Sequence, residues 1–88
     1  MMWQTEGTEL LRNLNRLHTT ELGVVRIRKN LGLTEEKDTV NWCKKRIEAP
    51  DSTIVRKGKN WYIYFRDYMI TVNAYSYTII TAHKQNRT

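Results

Sequence analysis

Residues 52–84, STIVRKGKNWYIYFRDYMITVNAYSYTIITAHK, decide the fold. Side-chain character alternates along them with a period near two, β-branched and aromatic residues dominate, and turn-forming clusters interrupt the run at intervals. That pattern predicts a strand over 53–56, a Lys57-Gly58-Lys59-Asn60 turn, a strand over 61–66, a tight turn at Asp67, a strand over 68–73, a turn over 74–76 and a strand over 77–84. Trp61, Ile63, Phe65, Ile70 and Val72 would form one apolar face, which sends Tyr62, Tyr64, Arg66, Thr71 and Asn73 to the other. The last strand admits two phases. We place Thr78, Ile80, Ala82 and Lys84 inward, with Tyr77, Thr81 and His83 on the open face.

The residues before this stretch supply the cover for the apolar face. Thr8 can cap a first helix bearing Leu10, Leu11, Leu14 and Leu17 on one side, with His18 at its edge. His18-Thr19-Thr20 marks a boundary, and either threonine can cap a second helix over 21–31 with Val24, Ile27 and Leu31 as its stripe. Gly23 within it costs about 1 kcal/mol relative to Ala, which points to close packing against a neighbour. Gly32 stops that helix in the left-handed conformation, with Leu33 folding back. A third helix starts at Thr34 or Asp38 and ends before Pro50, with Val40, Cys43 and Ile47 buried and Trp42 overlapping that stripe. Its acidic start (Glu35, Glu36, Asp38) and basic end (Lys44, Lys45, Arg46) match the helix dipole and need no ligand. Helices followed by a β-meander make an α+β two-layer fold of one domain, 1–88, with helices over about 8–49 and a sheet of about four strands over about 52–84.

Composition narrows the function. The chain carries a net charge of +6 over 88 residues. Residues 52–88 hold six Lys or Arg against Asp67 alone, whereas residues 1–51 hold nine against eight acids. Such a balance suits a polyanionic partner, most commonly nucleic acid, and equally a soluble basic protein whose charge only keeps it dispersed. A single cysteine, Cys43, excludes an internal disulfide and reads as a small core residue. One Cys and two His cannot build a tetrahedral Cys/His zinc site, so no metal and no cofactor are expected. No apolar run approaches the roughly 20 residues that span a bilayer. The acidic start MMWQTEGTE is no signal peptide, so a cytoplasmic location is expected.

Tyrosines beside Arg, Thr and His on an open sheet suit RNA, because rings stack on bases, cations meet phosphates and hydroxyls meet sugars. Tyr62, Tyr64, Arg66, Lys57 and Arg56 are the expected nucleic-acid-binding residues. His18 and His83 are the only histidines. Metal-independent ribonucleases use a base for the substrate's 2′-OH and an acid for the leaving oxygen, roles that two histidines can fill. On that reading Arg26 and Arg66 hold phosphate and Thr81 orients it, with His18, His83, Arg26 and Thr81 as the catalytic set. The alternatives are a non-catalytic module binding nucleic acid or protein through the same face, and a dimer that buries it.

The blocks LHTTELGVVRIRKNLGL, VNWCKKRI, RKGKNWYI and ITVNAYSYTIITAHK resemble a family of short bacterial proteins classed only as a domain of unknown function. More distantly, a helix with His18 then Arg26, and a meander ending in Thr81-Ala82-His83, are similar to the barnase–colicin–RelE-like group of small ribonucleases, many of them toxins. That resemblance implies an RNA-binding sheet shared by His18, Arg26, Thr81 and His83; an antitoxin is the protein partner that a toxin would have, and a homodimer mate the one that the exposed aromatic face would take.

Overall fold

The computed structural model describes residues 7–32 and 38–85. Over these the order is helices, then meander: α1 (Thr8–Arg12), a 3₁₀ turn (Leu14–Arg16), α2 (Glu21–Leu31), α3 (Thr39–Ile47), then β1 (Thr53–Lys57), β2 (Asn60–Phe65), β3 (Tyr68–Asn73) and β4 (Ile79–Lys84). The strands pair antiparallel in the order β1-β2-β3-β4. The α+β architecture expected from the alternation is present.

Local chemistry sets the helix ends. Thr20 accepts from the Gly23 amide and caps α2, and Gly32, at φ 69°, closes it in the left-handed region. Asp38 caps α3 by accepting from the Asn41 amide. The other expected start of this helix, at Thr34, lies outside the described residues, as do Glu35, Glu36 and the Leu33 contact. The first helix is shorter than its leucine spacing implies. The Asn13 side chain donates to the Glu9 carbonyl at 2.8 Å and its own backbone leaves the helical region. Leu10 and Leu17 are buried while Leu11 is 45% exposed, so the four leucines do not share one face. Gly7, not Thr8, takes the cap position.

The inner face packs as rows across the strands. Ile54, Ile63, Ile70 and Ala82 form one, and Arg56, Trp61, Val72 and Ile79 the next. With Leu10, Leu17, Ile27, Leu31, Trp42, Cys43 and Ile47 from the helical layer they make one core. α3 crosses the sheet with Trp42 edge-on to Tyr68, ring centroids 5.3 Å apart. α2 runs along β4. Before α2, His18 makes a parallel bridge to Thr78, which closes the outer margin of β4 at that end. No strand pairs with the outer margin of β1 among the described residues.

The last strand corrects the expected phase. Val72 lies opposite Ile79 but Thr71 lies opposite Thr81, so Ile80 is the extra residue of a β-bulge. Both phases that the sequence offers are therefore used, one on each side of the bulge. Ala82 points inward and Thr81 and His83 outward as expected, whereas Ile80 is 37% exposed. Tyr77, expected on the open face, is 1% exposed and packs edge-on against Trp61.

Gly23 has the close neighbour its position demands. A Cβ there would collide with the Thr19 hydroxyl and stand 3.2 Å from that of Thr20. The Thr19 hydroxyl is held in turn by the Ile79 carbonyl at 2.8 Å, so it cannot retreat freely. Gly23→Ala, which in an open helix would stabilise by about 1 kcal/mol, is expected here to destabilise by about 1–3 kcal/mol. Urea unfolding checks the sign, and a higher midpoint for the variant would refute the packing argument.

Candidate nucleic-acid interface

The face of the sheet opposite the helices carries most of the expected binding residues. Strand register sets them in rows: Thr53, Tyr64, Met69 and His83 across one, Val55, Tyr62, Thr71 and Thr81 across the next, and Lys57, Asn60 and Asn73 at the β1–β2 turn end. Tyr62 and Tyr64 are half-buried, two residues apart on one strand and therefore about 6.6 Å apart at the usual rise. Thr71 lies between Tyr62 and Thr81 and is buried by its neighbours. Asn60 donates to the Tyr62 hydroxyl at 3.3 Å, which fixes that ring from the turn side. No helix or strand covers this face among the described residues.

The flanking helix adds to it. The Asn30 amide donates to Thr81 Oγ1 at 3.3 Å. Arg26 precedes Asn30 by four residues and so shares its side of α2, exposed beside the β4 margin. Lys57 stands exposed at the opposite corner. Tyr62, Tyr64, Lys57, Thr81 and His83 are thus together, with Arg26 at their border.

Three expected members are elsewhere. Arg66 is no strand residue but the first of two loop residues between β2 and β3, at φ 55°, the sign that a tight hairpin requires there. Its guanidinium lies 3.5 Å from Asp51 and over the Phe65 ring. Arg56 belongs to the inner row, half-buried, donating to the Gly58 carbonyl at 2.8 Å and lying over Trp61 and Tyr75. Among the described residues of this half, positive charge is accordingly not concentrated on the open face, since the Arg56 and Arg66 guanidiniums stack on rings away from it.

His18 also stands away from the open face. It is held beside Thr78, and Thr78 precedes His83 by five residues, roughly 15 Å along the strand. An acid and a base acting on one phosphate must both be within hydrogen-bond reach of it. The expected pairing of His18 with His83 is therefore not formed.

Other residues at the face were less legible. Met69 shares the phase of Thr71 and Asn73, so alternation alone could have found it. Asn30 reaches the face only because α2 lies along β4, which no spacing in the chain announces. A cleft of about 650 Å³ lies elsewhere, between the start of α1, the end of α3 and β1, lined by Leu11, Glu48, Pro50 and Ile54 among others. None of the expected site residues lines it. Among the described residues, no three His, Cys, Asp or Glu side chains converge on a point, and no helix is long and apolar enough to cross a membrane.

Residues 11–83 match the model of a family described as Protein of unknown function (DUF3781). No curated protein and no solved structure matches the chain. The likeness to the barnase–colicin–RelE-like group therefore has no support beyond the residue pattern that suggested it.

Proposed function

This chain belongs to the family described as Protein of unknown function (DUF3781), and on that footing, which supplies no activity, we propose that it binds single-stranded RNA through the open face of its sheet. The observation that carries this reading is the register: Tyr62 and Tyr64 stand side by side on a face that no described helix or strand covers, in rows with Thr81 and His83. Two rings spaced along one strand can each take a base that has left its stack. Thr81 and Asn30 offer a hydroxyl and an amide to sugar or phosphate oxygens, and Lys57 and Arg26 bracket the face with positive charge. Few cations on the face itself make stacking, not phosphate neutralisation, the larger share of affinity.

Fluorescence anisotropy with short single-stranded RNA tests this. Tyr62→Ala and Tyr64→Ala are each expected to weaken binding by about 1–3 kcal/mol. Lys57→Ala should lower the salt slope by about one while leaving sequence preference alone. Wild-type affinity in both tyrosine variants would remove the platform. Cleavage of the RNA in EDTA, lost in His83→Ala, would make the face an active site, with an acid–base partner for His83 other than His18. A doubled mass in solution that Tyr64→Glu halves would instead assign the face to a second copy of the chain.

A further inference from the structure

A hydroxyl–imidazole chain stands at the N-terminal end of β4, at the Asn73 corner of the sheet and independent of the RNA reading. His18 Nδ1 lies 2.9 Å from the Arg16 carbonyl oxygen, an atom with no proton to give, so Nδ1 carries the hydrogen. In the neutral ring Nε2 is then a bare acceptor, 3.1 Å from Thr78 Oγ1. Thr78 must donate to it, and Ser76 Oγ, 2.8 Å from Thr78 Oγ1, then donates to Thr78 a proton that it shares with the Asn73 Oδ1 acceptor at 3.2 Å. The direction of the chain follows from its one fixed end: Ser76 to Thr78 to His18 to a backbone carbonyl. A hydroxyl hydrogen-bonded to a base, and the base oriented by a third group, is the arrangement that activates a nucleophile; here Thr78 is the hydroxyl on the base, and Ser76 joins it through one further hydroxyl contact. Ser76 at its outer end is exposed.

Two further observations separate this from an ordinary turn. Tyr77, between the two hydroxyl residues, is a bulky residue at φ 62° and almost fully buried. Such a conformation costs of the order of 1–3 kcal/mol and persists only where the surroundings enforce it. The enforcement is visible: the Tyr77 carbonyl accepts from the His18 amide and the Ile79 amide donates to the His18 carbonyl at 2.7 Å. The tyrosines on either side of Ser76 also carry guanidiniums, Arg16 over Tyr77 at 4.2 Å and Arg56 near Tyr75 at 5.6 Å. Cations stacked on the rings that flank this turn suit an anionic electrophile, and phosphoryl oxygens match guanidinium geometry.

We infer that Ser76 is a phosphoryl acceptor, its hydroxyl activated through Thr78 by His18, with an acyl phosphate as the class of donor. Ser76 Oγ forms a bond to phosphorus as the bond from phosphorus to the acyl oxygen breaks, and that oxygen leaves with the electron pair as a carboxylate. The Ser76 proton passes to Thr78 Oγ1 while the Thr78 proton passes to His18 Nε2, and the imidazolium then releases it to water. A carboxylate leaves without protonation, so no second acid is required.

The test uses the full chain, acetyl phosphate as donor, and intact mass with peptide mapping as readout. One phosphoryl group on Ser76 is expected, absent in Ser76→Ala. His18→Gln and Thr78→Val should slow labelling about a hundredfold, the lower end of what a positioned base contributes. Thr78→Ser, which keeps the relay hydroxyl, should stay within a few-fold of wild type. The backbone bridge between His18 and Thr78 needs neither side chain, so all of these variants retain it. An unlabelled wild-type Ser76, or a rate indifferent to both His18→Gln and Thr78→Val, overturns the assignment.

Discussion

Trp61→Ala is expected to leave the chain largely unfolded at 37 °C. Trp61 is 1% exposed, stands between Arg56 and Val72 in the central inner row, and meets the Tyr77 ring edge-on at 5.3 Å. Removing a buried Trp costs about 3–5 kcal/mol through lost burial and the cavity left behind. A domain of this size has only about 5 kcal/mol or so to lose. At about 4–8 °C per kcal/mol for a domain of this length, the melting midpoint should fall by at least 10 °C. The loss should extend to Tyr77, whose left-handed backbone is held in part by that ring. Thermal melts followed in the aromatic circular-dichroism bands measure it. A drop under 5 °C would mean that the inner face is not packed as described.

The second large effect concerns Cys43. Its thiol is fully buried in the core, and burial pushes its pKa from 9.0 up to about 12, only partly opposed by the nearby Arg46 guanidinium. Only the thiolate attacks disulfide reagents, so at neutral pH the native thiol should react about a thousandfold more slowly than a free one, through the thiolate fraction alone. Steric closure slows it further, and modification should occur only as the chain opens. The same shift sets an alkaline limit. The unfolded chain ionises this thiol near its ordinary pKa and the folded chain does not, so the folded state loses stability as pH rises from about 9 towards 12. Across the whole interval the loss is about 4 kcal/mol, as an order of magnitude. Cys43→Ala should abolish that component of the alkaline transition while lowering stability at neutral pH. Rapid stoichiometric labelling of the native protein at neutral pH would show that the site is open.

How much could be read from the chain alone varied with the physics involved. Alternation gave β3 its bounds and placed β1 and β2 within a residue or so, because one buried face leaves little freedom of register. The α2 ends were legible in Thr20 and Gly32, where capping chemistry is local. β4 was not, because a bulge inserts one residue and switches the phase midway, and residues 77–83 look equally good either way. Arg66 was misplaced for a related reason. A two-residue hairpin forces a positive φ on its first loop position, and an arginine gives no sign that it will accept one. The site fared unevenly on the same grounds. Tyr62, Tyr64, Thr81 and His83 follow from strand parity, whereas the Ser76–Thr78–His18 chain joins residues about sixty positions apart through one isolated bridge.

That bridge has a consequence for crowding. The sheet has two long borders, and the His18 segment and α2 lie along one of them. Among the described residues no strand lies beside the β1 border, and a sheet that can extend by backbone pairing on one side only behaves as a chain terminator: two such molecules can join border to border, and a third finds nowhere to add. Growth into fibrils by this route would first require the helix along β4 to peel away, so a mutation that loosens α2 is expected to open the second border to pairing.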